Sequence, residues 1–248
     1  MKSAHLTGYG LKNGQLIYIS DVPRGLACGC VCVVCGQQLI AKKGLQRCYH
    51  FAHLSDTNCQ GAAETALHLL SKELIATLDT ITIPAYDFIK EKTTVIGSSC
   101  SHQELIAKGG LVLISSAKIE SSETGFKPDV ILDCGTKNLI VEIAVTHRVD
   151  RAKMRHIRRR DLPAIEIQLE PVDAILSRKQ LSEKLQNDLQ SKFWLFHPKQ
   201  REAERTFYSK LRQVRKDNRF RRKTVAPQLK RSQNTSSDLY VFPLILKS

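Results

Sequence analysis

No apolar run among the 248 residues approaches the roughly 18 to 20 that a membrane-spanning helix needs, so the sequence predicts no transmembrane segment. Nor is Met1-Lys2-Ser3-Ala4-His5 followed by the apolar core of a secretory signal, which predicts a soluble, cytoplasmic protein. No stretch repeats at a fixed period, which excludes a solenoid or a propeller. Acidic residues are in short supply: 24 Asp and Glu face 38 Lys and Arg, for a net charge of +14. An excess of that size points to a polyanionic partner, nucleic acid first and an anionic membrane surface second. Apolar content is not lacking. At 42% hydrophobic residues the chain is not wholly disordered, and its length suffices for one large domain or two modest ones.

Six of the eight cysteines (Cys28, Cys30, Cys32, Cys35, Cys48 and Cys59) crowd into one short stretch. Without a secretion signal, clustered Cys beside His point to metal ligation rather than to disulfides. Cys32-Val33-Val34-Cys35-Gly36 reads as a knuckle that aims two thiolates at one ion, with the glycine admitting the tight bend. Downstream stand His50, His53 and Cys59, enough to complete the tetrahedral N/S shell of a structural zinc. The donors outnumber four. The favoured set is Cys32, Cys35, His53 and Cys59, with His50 as first reserve and Cys28 or Cys30 behind it. A closed set leaves no open position for water, so this zinc should be structural. Cys100 and Cys134 read as ordinary small buried side chains.

The chain divides into three expected regions: a zinc-binding module over 1–60, a core over 61–170 and a basic helical extension over 171–248. Within the core, Leu67, Leu70, Leu74 and Leu78 recur at helical spacing after Gly61. Strands are expected at 111–114, 129–132 and 139–145, the last two joined by a hairpin turn at 134–138. A basic helix spans 150–161 with Asp150 as its cap, Pro163 ends it, and 164–169 alternates as a strand. Helices are expected over 172–190 and 200–222, then a flexible linker over 232–238 and an apolar end over 239–246.

Asp129 opens one strand and Glu142 lies within the next, where Glu142, Ala144 and Thr146 share a face. Carboxylates on apolar strands are costly unless paired or metal-bound, and two of them make a hard-oxygen site for Mg²⁺ or Mn²⁺. Such an ion polarises a phosphodiester and acidifies an attacking water. Glu64, His68 and Lys72 line one helix face at i, i+4 and i+8. Glu64 is a candidate third ligand, while His68 and Lys72 are candidates to orient the water or meet the phosphate. The bland alternative is a solvated helix face. His147, one residue past Thr146, points to the other sheet face unless the strand ends there.

These residues carry a resemblance. The Cys32–Cys35 knuckle, His50-Phe51-Ala52-His53, Glu64 with His68 and Lys72, Pro128-Asp129, and the run from Val141 to His147 together resemble the competence-protein CoiA-like family. That family is a branch of the PD-(D/E)XK nuclease superfamily, and the resemblance covers about residues 25 to 170. It implies a mixed α/β (α+β) core of helix, three strands, helix and strand. It also implies a metal-dependent DNA nuclease acting in competence, recombination or defence against foreign DNA, with Glu64, Lys72, Asp129 and Glu142 as catalytic residues. The superfamily's lysine two positions past the glutamate is Ala144 here, and Lys72 is the natural substitute. Ala144 also favours the alternative, a catalytically inactive nucleic-acid-binding adaptor that keeps the fold and recruits a partner ATPase or helicase.

Positive charge is concentrated. Residues 148–160 hold seven Lys or Arg against one acid, and 199–231 hold thirteen against three. Together these segments exceed the whole chain's net charge, which leaves the remainder slightly acidic. Arg155, Arg158 and Arg159 in the first, with Arg215, Lys216, Arg219, Arg221 and Arg222 in the second, are expected to meet phosphate backbones. Phe207, Tyr208 and Phe220 interleave with the tail's charges as candidates for stacking on bases. The thin apolar face argues against a membrane-surface helix.

Overall fold

The computed structural model describes residues 6–55, 59, 61–95, 97–119 and 127–233, with side chains to 220. They form two compact units: one from the described residues within 1–87 and 105–200, the other from those within 88–104 and 201–233.

The first unit begins with the cysteine-rich module. Strand β1 (Tyr9–Lys12) turns back into β2 (Gln15–Tyr18) through Asn13 and Gly14. Both turn residues have positive φ, 51° and 78°, the type I′ geometry that matches strand twist. Strands β3 (Leu39–Lys42) and β4 (His50–His53) form a second antiparallel hairpin. Single bridges from Leu11 to Val31 and from Val31 to Gln38 lace the two hairpins to the knuckle between them. Ile19, Val22, Cys28, Cys30, Leu39, Ala41 and Phe51 fill a small core beneath.

The module is sewn to a turn far along the chain. Gly8 N–H donates to Ala174 O at 2.8 Å, Tyr9 Oη to Leu176 O at 2.7 Å and Tyr18 Oη to Ile175 O at 3.0 Å. A Cβ on Gly8 would meet the Tyr18 ring at 2.9 Å, so only glycine lets the chains approach this closely.

Helix α1 (Ala62–Ala76) buries Ala63, Ala66, Leu67, Leu70 and Leu74 on one stripe, as the leucine spacing predicts. After it, β5 (Thr80–Ile83) pairs with β8 (Gly110–Leu113), and β6 (Tyr86–Thr93) pairs with β7 (Ser99–Ala107). The main sheet then forms from β9 (Ser116–Ile119), β10 (Val130–Asp133), β11 (Asn138–Ala144), β12 (Ala164–Gln168) and β13 (Lys192–Phe196). Its order is β13-β12-β11-β10-β9, with β11 and β12 parallel and the other pairs antiparallel. Helix α2 (Arg151–Arg160) links the parallel pair. Period two sorts the strands: Val141, Ile143, Ile165 and Ile167 belong with the α1 leucines, whereas Ile140 and Ala164 pack with Ile157 of α2.

Several expectations change. The 111–114 run pairs with β5 outside the main sheet, and the third core strand is β9 instead. The expected 172–190 helix is a 3₁₀ turn at Pro171–Ile175 followed by α3 (Arg178–Asn187), because Pro171 and the Ser177 cap each start a new element. Residues 171–200 join the first unit, since β13 extends its sheet and Leu181 and Leu185 enter the same core as α1.

In the second unit, α4 (Gln200–Gln233) packs Ala203, Phe207 and Leu211 inward, at helical spacing. Asn218 joins Ser98 and Thr94, which close the β6–β7 hairpin. Ser232 and Gln233 are helical, and 234–248, with the rest of the expected linker and the apolar end, lie outside the described residues. No helix among the described residues is long and apolar enough to cross a membrane.

Candidate functional site

Cys32, Cys35, His53 and Cys59 converge, with all four ligand atoms within 4.8 Å of one another. The knuckle makes this happen: Gly36 N–H donates to Cys32 O at 2.9 Å, Gly36 takes φ of 70°, and Cys32 N–H closes on Gln37 O at 2.8 Å. Strand β4 then brings His53 alongside, in register with Leu39 just past the knuckle. Cys32 Sγ lies 3.8 Å from Cys59 Sγ, and Cys35 Sγ lies 3.4 Å from His53 Nε2. A tetrahedral zinc shell sets neighbouring sulfurs about 3.8 Å apart and sulfur and nitrogen about 3.5 Å apart. The quartet could therefore hold a metal such as zinc.

The electrostatics agree. Burial and the neighbouring Cys35 and Cys32 thiols push Cys59 up to about 12, while the Gln37 backbone holds the Cys35 thiol below its ordinary value. A thiol kept from ionising by burial and by the thiols around it, as Cys59 is, is what a divalent cation relieves. The reserves stand elsewhere. Cys28 bonds Leu39 O at 3.1 Å and Cys30 is buried beside it, while His50 Nδ1 is 2.9 Å from Cys48 O.

The second cluster lies where β10 and β11 meet. Asp129 Oδ2 accepts from Ile143 N–H at 2.9 Å and faces His68 Nε2 at 3.1 Å. Burial raises the Asp129 carboxyl, but the His68 and Ile143 bonds and the Lys153 charge outweigh it and hold the group below the usual carboxylate range. Glu142, fully enclosed, shows the opposite balance. Burial pushes it up to about 8 against the pull of Lys153, and the Asp129 charge adds to the rise. Its Oε2 sits in an ion pair with Lys153 Nζ, which offsets only part of the cost of burial.

Glu64 stands apart from that pair. Its Oε1 accepts from Thr146 Oγ1 and lies 3.9 Å from His147 Nδ1, whose ring is largely exposed. Lys72 is buried on α1, one turn past His68, whereas the ammonium that reaches Glu142 is that of Lys153. Among the described residues, only the Cys/His quartet gathers three or more ligand atoms this tightly. Asp129 Oδ1 is not used by these contacts, and Glu142 lies fully buried close enough for the Asp129 charge to raise its carboxyl.

Sequence reading treated Lys153 only as one of many cations. Its signal was local: it precedes buried Ile157 by four residues, so both lie on the stripe of α2 that meets the sheet. Ile157 packs with Ile140, and stepping two residues along β11 and four back along α2 covers similar lengths, which sets Lys153 against Glu142. Glu166 and Gln168 on β12 were also passed over. They are in register with Glu142 and Ala144 on the neighbouring strand.

Of the expected phosphate contacts, Arg155, Arg158 and Arg159 are exposed on α2, and Arg215, Lys216 and Arg219 are exposed on α4. The side chains of Arg221 and Arg222 lie outside the described residues. Phe207 is buried and unavailable to a base. Tyr208 remains half exposed, its ring beneath Lys90 Nζ at 4.5 Å.

Residues 27–62, which contain the whole quartet, match the family described as Competence protein CoiA, N-terminal domain. No curated protein and no solved structure matches the chain.

Proposed function

We propose that this chain, which carries a CoiA-type N-terminal domain, is a zinc-stapled, metal-dependent nuclease that hydrolyses phosphodiester bonds of DNA. The observation that carries the reading is the pairing of Asp129 with the fully enclosed Glu142 beneath the Lys153 ammonium. Folds rarely keep a fully buried glutamate with a strongly raised pKa for stability alone, and such groups gather at sites of chemistry. With β5–β8 inserted after α1, the order α1, β9–β11, α2, β12 and the parallel β11–β12 pair support a PD-(D/E)XK-type core.

In this reading Cys32, Cys35, His53 and Cys59 hold zinc as a closed structural shell. Asp129 and Glu142 would hold Mg²⁺ or Mn²⁺, which when bound polarises the phosphodiester and supplies a more acidic water. His68 and the Ile143 N–H fix the Asp129 carboxylate, which keeps it ionised and oriented. Lys153, held against Glu142, is the ammonium that would meet charge developing on the phosphate in place of the lysine that Ala144 lacks. Exposed arginines of α2 and basic residues of α4 supply sequence-independent affinity for the backbone. Competence, recombination or defence against foreign DNA is the setting that fits, in a cytoplasmic protein.

Ala144 favours a second reading, a non-cleaving DNA-binding adaptor for an ATPase or helicase. Labelled linear and circular DNA incubated with Mg²⁺, Mn²⁺ or EDTA separates the two. Cleavage by the wild type with a divalent ion, absent in Glu142→Gln, supports the nuclease. Binding without cleavage of any DNA or RNA form supports the adaptor.

A further inference from the structure

Ala144 does more than omit a lysine. Its methyl group lines a cavity of about 550 Å³ that runs from the end of β11 across β12 to β13. A long side chain at this position would project into that space.

One row of side chains leads from the carboxylate pair into the cavity. Glu142 is in register with Glu166 on β12, and Glu166 with Phe193 on β13. Partners in register share a sheet face, and two strand spacings cover about 10 Å, the scale of one nucleotide. Phe193 lines the cavity and is 45% exposed, an unusual placement for a phenylalanine in a sheet that has apolar layers on offer.

Glu166 is the second buried carboxylate of the sheet, and the chemistry described above makes no use of it. Its Oε2 accepts from Val149 N–H at 2.8 Å, and its Oε1 accepts from Gln168 Nε2 at 2.7 Å. Gln168, its amide thus oriented, presents Oε1 to Arg148 Nη2 at 3.2 Å. A buried anion therefore fixes an amide, and the amide fixes a guanidinium at the cavity wall. The guanidinium keeps further donors for an anion, in the planar arrangement that suits phosphate. Arg148 and the exposed Phe193 both line this cavity, which also has the acidic Glu170 and Asp188 in its wall, and a guanidinium and a ring in one cavity match a phosphate and its base.

We infer that this cavity is a nucleotide subsite: it takes one unpaired nucleotide of a DNA strand, the base against Phe193 and the phosphate on Arg148, with Glu166 and Gln168 as positioning residues. The assignment rests on the nuclease reading for its place beside the scissile bond, but it can be tested without cleavage.

The test is titration of the full chain with 2′-deoxyadenosine 5′-monophosphate, and separately with inorganic phosphate, followed by ligand-observed NMR. Loss of a stacking ring weakens binding of a base by about tenfold. The expected result is that Phe193→Ala loses about this much for the mononucleotide and nothing for phosphate, that Phe193→Tyr retains affinity, and that Arg148→Ala weakens both. Both residues are exposed, and circular dichroism checks that each variant is folded. Mononucleotide affinity unchanged in Phe193→Ala and Arg148→Ala overturns the subsite, as does phosphate binding as tightly as the mononucleotide. A chain that behaves as expected here yet cleaves nothing retains the subsite and loses the nuclease reading. One that cleaves DNA while both variants bind normally loses the subsite alone.

Discussion

Replacing Glu142 with glutamine should make the protein more stable in alkali while destroying the proposed activity. Glu142 is completely enclosed, and burial lifts its carboxyl from 4.5 to about 8 even with Lys153 alongside. The folded chain thus keeps this proton over a range in which the unfolded chain has already released it. Stability must fall as pH climbs from about 4.5 through about 8, and it stays reduced above that. At about 1.4 kcal/mol per unit, the whole interval amounts to a loss on the order of 5 kcal/mol at most. Glutamine keeps the shape and carries no proton to lose, and Lys153, partly exposed, can turn its ammonium to water. Urea denaturation of wild type and Glu142→Gln at pH 5, 6, 7, 8 and 9 reads the difference directly, because every other titrating group is common to both. The variant's advantage should grow with pH and level off near pH 9. Asp129 does not confuse the comparison: its carboxyl is held low, so its contribution is present at neutral pH and disappears only in acid. Two parallel stability curves across this range would refute the idea that Glu142 carries its charge at a cost.

The purified protein should contain one equivalent of zinc by elemental analysis, and Cys32→Ser/Cys35→Ser should lose it together with a large part of the melting temperature, since zinc binding at such shells is folding free energy. Asp129→Asn should abolish cleavage while DNA binding persists. Lys153→Met should lower kcat heavily and leave Mn²⁺ affinity intact or improved, because an ammonium is a competitor of the cation and never a ligand; loss of Mn²⁺ binding in this variant would contradict the assignment. Substituting Arg215, Lys216 and Arg219 by alanine should flatten the dependence of log affinity on log salt by up to about 2.7, from about 0.9 per phosphate contact, as read by fluorescence anisotropy. An unchanged slope would remove α4 from the interface.

The quartet was legible because thiols and imidazoles at knuckle spacing have few other reasons to cluster. The β10–β11 hairpin was legible because its apolar strands flank a turn where Gly135 takes φ of 80° and Cys134 N–H reaches Lys137 O at 3.0 Å. Other elements gave weaker local signals. The β6–β7 hairpin buries Phe88 and Cys100 amid charged, exposed positions, and its covering helix comes a hundred residues later, so no window of sequence holds the pairing. Edge strand β9, Ser116-Ala117-Lys118-Ile119, has no apolar run to mark it and is defined by its register with β10. Lys153 was hidden by number: among seven cations in thirteen residues, charge drew attention away from the one that faces inward.

The stitches that join Gly8, Tyr9 and Tyr18 to the Pro171–Ile175 turn and its neighbour Leu176 matter to anyone recombining parts of this protein. The cysteine-rich module looks detachable, being a short N-terminal piece with its own small core. Its edge, however, completes a surface made from residues that arrive more than 150 positions later, and Arg178 Nη1 reaches back to Leu16 O at 3.4 Å across the same junction. A graft of the module onto another scaffold would leave Tyr9 and Tyr18 hydroxyls without their carbonyls, and a core lacking the module would expose the other half of each bond. The two pieces are one inheritance, exchangeable between relatives only with the junction on both sides.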